Sequence, residues 1–350
     1  MFVVLIFALL LCFLLSSPRI HLQLLSEEDY LSRQRTSFLN GFFIVFVFIR
    51  HITQYDIVPS EWERMALYVM PRGQLLVTPF LFFSGYGLMC SMMRSRYEYT
   101  GKLLTTRFPK LWLHFVLCIA CYWCLSSLLL GKEYSLSHIC LAAVTWTSFG
   151  NSTWYIGVTL LAYLILAISS YVTGRRGNIL MWMVSFFLTV ICLQLILLYK
   201  EPYWGNTALC IHAGMAYAMF RGPIEGLLRR IPLPTLFLGG ALMWLGCVTH
   251  RTWLYIDLLG NVGSILYASG ICLLQGCISY KRPFPLLVWC GGPALFFIYI
   301  LQRLPMMIGA YFGWNHDYRE VYVAGCFVLT ILLALLAIPL FKKLDKVLFS

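Results

Sequence analysis

Two polar side chains interrupt an apolar stretch in S-F-L-N-G-F-F-I-V-F-V-F-I-R-H at 37–51: Asn40 and, eleven positions later, His51. At about 100° per residue an α-helix returns such a pair to nearly the same face, about three turns apart. Imidazole titrates near neutral pH and is suited to taking a proton from a hydroxyl. An ionisable group inside an apolar helix points to function. His51 and its neighbour Arg50 equally suit a membrane interface where both reach water, so position alone supports either reading.

A second group is basic. Arg94, Arg96, Lys102, Arg107 and Lys110 stand against one acid, Glu98. Such a cluster can hold phosphates through charge-assisted hydrogen bonds; it also suits topogenic charge and anionic lipid headgroups. Just before it lie Ser84, Gly85 and Tyr86. There a glycine lets a ligand approach the backbone, and the hydroxyls offer hydrogen bonds. Trp154 and Tyr155 suit either sugar stacking or an aromatic interface belt.

His114, Cys118, Cys121 and Cys124 form a helical stripe. Thiolates in hydrocarbon need a bound cation, and no second cluster with ligand spacing accompanies them. Most of the thirteen Cys lie in apolar runs, where Cys behaves as a small hydrophobe. Neither a metal site nor a disulfide framework is expected. No Walker loop, G-x-S-x-G elbow or H-E-x-x-H motif occurs, which argues against ATPase, serine hydrolase and zincin chemistry.

The elements that must position these groups follow from composition. Of 350 residues 60% are hydrophobic and 11% charged, against about a quarter charged in soluble proteins. Apolar runs near the length needed to cross a bilayer recur throughout. The fold expected is an all-α polytopic transmembrane bundle of about ten core helices. Spans are expected near 38–55, 74–92, 110–130, 154–172, 180–199, 205–220, 234–249, 254–274, 286–311 and 321–341. The stretch 139–149 is too short to cross upright and reads as re-entrant or interfacial. Residues 1–37 read as an N-terminal membrane helix and cytoplasmic connector, and 38–350 as one membrane domain. Met1 to Ser16 lacks the basic start and the small-residue cleavage site of a secretory signal.

The net charge of +12 sits in loops between apolar runs rather than on one solvated face, so positive-inside topology explains it better than nucleic acid does. Basic loops alternate with mixed or mildly acidic ones. Arg19, Arg33 and Arg35 begin the basic set, Arg94 to Arg107, Arg175, Arg176, Arg221, Arg229, Arg230, Lys281 and Arg282 continue it, and Lys342, Lys343 and Lys346 close it. Both ends of the core are then cytoplasmic, with His51 toward the outside.

Together the segments resemble the membrane-bound acyltransferase 3 family over about 35–341. The first is similar to that family's opening helix, in which a basic residue precedes a His by eleven positions. P-F-L-F-F-S-G-Y-G-L at 79–88 resembles its F-F-x-S-G-[FY] signature, and R-F-P-K-L-W at 107–112 its basic R-x-x-[RK] segment. S-T-W-Y-I at 152–156 and G-G-P-A-L-F-F-I-Y-I-L-Q at 291–302 are similar to later helices. Two positions depart from the pattern: Asn40 replaces the basic residue, and Gln302 stands where relatives often have His. A cation that assists the reaction must then come from elsewhere, with Arg50 the nearest in sequence.

The resemblance implies an O-acyltransferase of a bacterial inner membrane that takes acetyl-CoA or another acyl-CoA as donor substrate, with no bound cofactor. The implied acceptor is a hydroxyl of an exported polysaccharide or lipid-linked sugar. His51 is implied as general base or transient acyl carrier, and Arg94, Arg107 and Lys110, with Ser84, Gly85 and Tyr86, as the donor site. Asn40, Arg50, Trp154, Tyr155 and Gln302 are the acceptor or supporting groups. Membrane lipids and polysaccharide-assembly proteins are the further partners. The competing readings are a transporter or flippase for a lipid-linked sugar or amphipathic solute, and a silent scaffold of an assembly complex. The spans show no paired repeat halves of the kind many transporters have.

Overall fold

In bilayer hydrocarbon no water satisfies the backbone, so an apolar run must bond to itself as a helix. The computed structural model describes residues 2–25, 29–55, 57, 60–71, 73–231, 233–253 and 257–349, and it is an all-α bundle. The chain begins with α1 (Phe2–Leu15) and a short strand β1 (Pro18–Ile20), then α2 (Arg33–Ile52) and α3 (Glu61–Val69). A 3₁₀ turn leads into α4 (Thr78–Arg94), and α5 (Arg96–Lys102) passes through a π-helical turn, Leu103–Arg107, into α6 (Phe108–Leu130). Pro79 and Pro109 sit in the first turns of α4 and α6, where a missing N–H costs nothing.

Next come α7 (Leu136–Ala143), α8 (Trp154–Thr173), α9 (Asn178–Leu197) and α10 (Cys210–Arg230). The pair α11 (Thr235–Trp253) and α12 (Gly260–Gly276) is followed by β2 (Ile278–Tyr280), which pairs antiparallel with β1, Arg19 opposite Ser279. Four short helices, α13 (Pro285–Cys290), α14 (Leu295–Leu301), α15 (Arg303–Tyr311) and α16 (Trp314–Asp317), precede the long α17 (Arg319–Leu348).

Among the described residues six helical stretches are each long and apolar enough to cross a membrane: α2, 75–94, 96–130, α8, α9 and α17. The other expected spans take different forms. The 286–311 run is divided at Gly291–Ala294 and again at Gln302 into α13, α14 and α15. The 205–220 run starts late, at Cys210, and α10 leaves helical geometry at Phe220, ahead of Pro223. The start of the expected 254–274 span lies outside the described residues, and α12 takes up its remainder.

Close helix crossings hold the bundle. A side chain at Gly85 of α4 would run into the Ile211 carbonyl of α10, and one at Gly214 of α10 into the Phe82 carbonyl of α4. Gly41 of α2 meets the Leu287 carbonyl of α13 in the same way. Small residues that let backbones touch are the usual basis of helix association in lipid.

Polar contacts collect the basic loops at one end. Arg35 donates to the Gln275 and Ile278 carbonyls, and Arg96 to the Gly174 and Arg176 carbonyls and Asn178 Oδ1. Arg221 reaches Asp29, Tyr86 and Glu225. Lys110 pairs with Asp345 near the end of α17. Because α2 starts at this end and finishes at Ile52, His51 lies at the opposite end of the bundle.

Candidate active site

The last turn of α2 delivers Arg50 and His51 into a cavity of about 540 Å³. Its walls come from five other segments: Gly73, Gln74 and Val77 before α4, Ser148 and Asn151 to Trp154 leading into α8, Glu201 to Tyr203 after α9, His250 of α11, and Tyr299 and Arg303 of the broken α14–α15 run. All lie on the end away from the basic loops.

His51 is half-buried. Its Nε2 is 3.5 Å from Ser152 Oγ, its ring lies 6.1 Å from the Tyr299 ring, and its Nδ1 is buried with no hydrogen-bond partner. Arg303 is near enough for its charge to act on the imidazole. Burial closes Nδ1 to a ligand, so Nε2, held only by the long contact to Ser152, is the nitrogen able to exchange a proton.

The loop before α8 is shaped by its own chain. Gly150 takes a φ of +103°, a conformation that L side chains rarely adopt, and its carbonyl faces Arg303 Nη1 at 3.5 Å. Asn151 Oδ1 accepts from the Phe149 amide at 3.1 Å, while its Nδ2 is buried without a partner.

The residues expected from sequence separate into two groups. His51, Arg50 and Trp154 share the cavity. Arg50 uses Nη2 to donate to the Leu67, Met70 and Pro71 carbonyls at 2.6, 2.9 and 3.2 Å, tying the end of α2 to the end of α3. Tyr155 packs against Tyr299 with tilted rings 5.0 Å apart, and Gln302 is fully buried with Nε2 donating to the Tyr299 carbonyl, so both support the residue whose ring faces His51. Asn40 is not brought to the cavity. It is buried about three turns below, beside the crossing of α2 with α13, where Gly291 lies against its backbone.

The expected donor residues lie at the basic end. Arg94 is exposed, and Arg107 ends the π-helical turn and stacks 4.9 Å from the Tyr99 ring. Lys110 is 2.7 Å from Asp345 Oδ2, and His114 Nε2 is 2.8 Å from Asp345 Oδ1, so the two pin α6 to α17. Gly85 is occupied by the α10 crossing, a use in packing rather than the backbone opening expected from sequence, and Tyr86 accepts from Arg221 at 2.8 Å. Ser84 is half-buried on α4. In the cysteine stripe Cys118 is buried, while Cys121 and Cys124 are exposed.

Arg303, His250, Glu201, Tyr203, Gln74, Asn151 and Ser152 are cavity residues that sequence reasoning did not select. Two signals were available for them: a charge inside the apolar 286–311 run, and the polar S-F-G-N-S-T sequence at 148–153. His250 carries no such signal, because its Nδ1 faces Ser264 Oγ at 3.1 Å and only the fold brings it to the cavity.

The family model that describes the acyltransferase domain of the acyltransferase 3 family matches residues 37–339. No curated protein and no solved structure matches the chain.

Proposed function

The chain belongs to the acyltransferase 3 family, and on that premise we propose that this multi-pass membrane acyltransferase moves an acetyl group from acetyl-CoA to a sugar hydroxyl of an exported polysaccharide or glycolipid. The observation that carries the reading is the position of His51, which lines a polar cavity at the end of the bundle opposite the interlocked basic loops. By the positive-inside rule the basic end faces the cytoplasm, where acyl-CoA is found, and the cavity faces outward, toward surface glycans.

In this reaction the sugar oxygen attacks the thioester carbonyl, a C–O bond forms, the C–S bond breaks, and the hydroxyl proton passes to the departing thiolate. His51 is the base that takes that proton, working from Nε2. Trp154 and Tyr203 supply aromatic faces on which a sugar can rest, and Gln54, Gln74, Asn151 and Ser152 supply groups to bond its hydroxyls. At the other end Arg107 and Arg94 are the exposed cations for the donor's phosphates.

Purified protein incubated with labelled acetyl-CoA and candidate glycans tests the reading. Label transferred to the glycan is the expected result. Movement of a lipid-linked sugar across reconstituted vesicles with no transfer of label would make the chain a transporter instead.

A further inference from the structure

Arg303 begins α15 at the wall of the His51 cavity and is half-buried. Among the described residues its guanidinium meets only neutral groups, Gln54 Oε1 from Nη2, the Gly150 carbonyl from Nη1 and the Tyr55 hydroxyl. Nε is buried without a hydrogen-bond partner. Among the described residues no carboxylate pairs with it: Glu201, the acid of the cavity wall, is not within ion-pair distance. A guanidinium on a cavity wall with no counter-charge among the described residues is a ready partner for a ligand anion.

The neighbouring groups fit the same ligand. Asn151 Nδ2, on the same cavity wall, is a second buried donor with no partner. The Nη groups of Arg303, whose own contacts are exposed and one of them as long as 3.5 Å, are the donors a cavity ligand can meet, and they call for a group that only accepts, as a carboxylate or a phosphate does. A transient oxyanion of acyl transfer would not balance Arg303 in the resting protein, whereas a fixed charge on the acceptor would from the moment of binding.

We propose that Arg303 selects an acceptor that carries a fixed negative charge, with Asn151 as the second donor to that charge. The inference rests on reading the cavity as the acceptor site. The shared chemistry has two sources, the carboxylate of an acidic sugar and the phosphate of a phosphorylated or lipid-linked one. Arg303 is thus a specificity residue for the acceptor.

The test measures binding of glucuronate, glucose 1-phosphate and glucose to the full-length protein in lipid nanodiscs, without acyl donor. At least one charged sugar is expected to bind about tenfold or more tightly than glucose, and the stronger of the two identifies the source of the charge. Arg303→Gln should abolish the preference and Arg303→Lys should keep part of it, with thermal unfolding confirming that both variants fold. Equal affinity for all three sugars, including no measurable binding of any, overturns the inference, and so does a preference that survives in Arg303→Gln. Binding is read apart from catalysis: a charge preference without acyl transfer would sink only the enzymatic reading, and transfer without a charge preference would sink only this one.

Discussion

His51 Nε2 and Ser152 Oγ lie 3.5 Å apart, joining the last turn of α2 to the loop that precedes α8 across about a hundred residues of chain. The contact is at the long end of hydrogen-bond reach, and such contacts in resting sites tighten when substrate binds. Ser152→Ala is expected to leave abundance unchanged and to lower kcat about two- to tenfold, the worth of one ordinary hydrogen bond. An unaltered kcat in steady-state acyl transfer would show that Ser152 does not orient the imidazole.

Gly85 gives a sharper contrast between packing and ligand binding. The Ile211 carbonyl would lie 1.9 Å from a Cβ at this position, and both partners are backbone that cannot move aside. Gly85→Val should therefore destabilise the bundle by about 1–3 kcal/mol, seen as a lower Tm and lower yield in membranes. A stable variant with only a raised donor KM would return Gly85 to the donor site.

At the basic end, Arg107→Gln combined with Lys110→Gln should raise the apparent KM for acyl-CoA about tenfold and leave the acceptor KM nearly unchanged. Lys110 already has Asp345 as a partner at 2.7 Å, so most of the effect should come from Arg107. If donor KM does not move, Lys110 pins α6 to α17 and Arg107 only stacks on Tyr99.

Glu63 of α3, outside the spans, ties the starts of α1 and α17 to α3. It accepts from the Phe2 amide at the start of α1, from the Ser60 amide and hydroxyl, and from Arg319 at the start of α17. Burial acts to raise its pKa, but these bonds outweigh burial and hold it at about 2, below the ordinary 4.5. A carboxylate with a depressed folded pKa contributes stability that is complete above its unfolded value and is lost as pH falls through the folded one. Stability should thus decline from 4.5 toward about 2, and Glu63→Gln should flatten that part of a Tm–pH curve. Identical slopes in both proteins would remove Glu63 as the cause.

Much of the fold could be read from apolar run length, because hydrocarbon requires a helix wherever such a run crosses it. Thus α8 at Trp154–Thr173 coincides closely with the expected 154–172. The division of 286–311 was not legible. Gly291, Gly292 and Pro293 read as a tolerable interruption in a long apolar run, yet Gly291 is needed as a crossing point against α2, and the chain turns there. Of the cavity, the sequence pointed to Arg50 and His51 on α2 and to Trp154 on α8. Arg303, His250 and Glu201 reach the cavity from three distant segments, and no spacing in one sequence encodes that meeting. Asn40 shares a helical face with His51, but about three turns of rise keep it from the cavity, so a shared face did not mean a shared site.

The most direct test of the account is acyl transfer by His51→Ala, measured at equal protein level with labelled acetyl-CoA and a glycan that the wild-type protein acetylates. Loss of a positioned general base lowers rates by about 100-fold or more, and that loss, with normal insertion and Tm, is the result predicted. Transfer at the wild-type rate in His51→Ala would contradict the account and remove His51 from the chemistry.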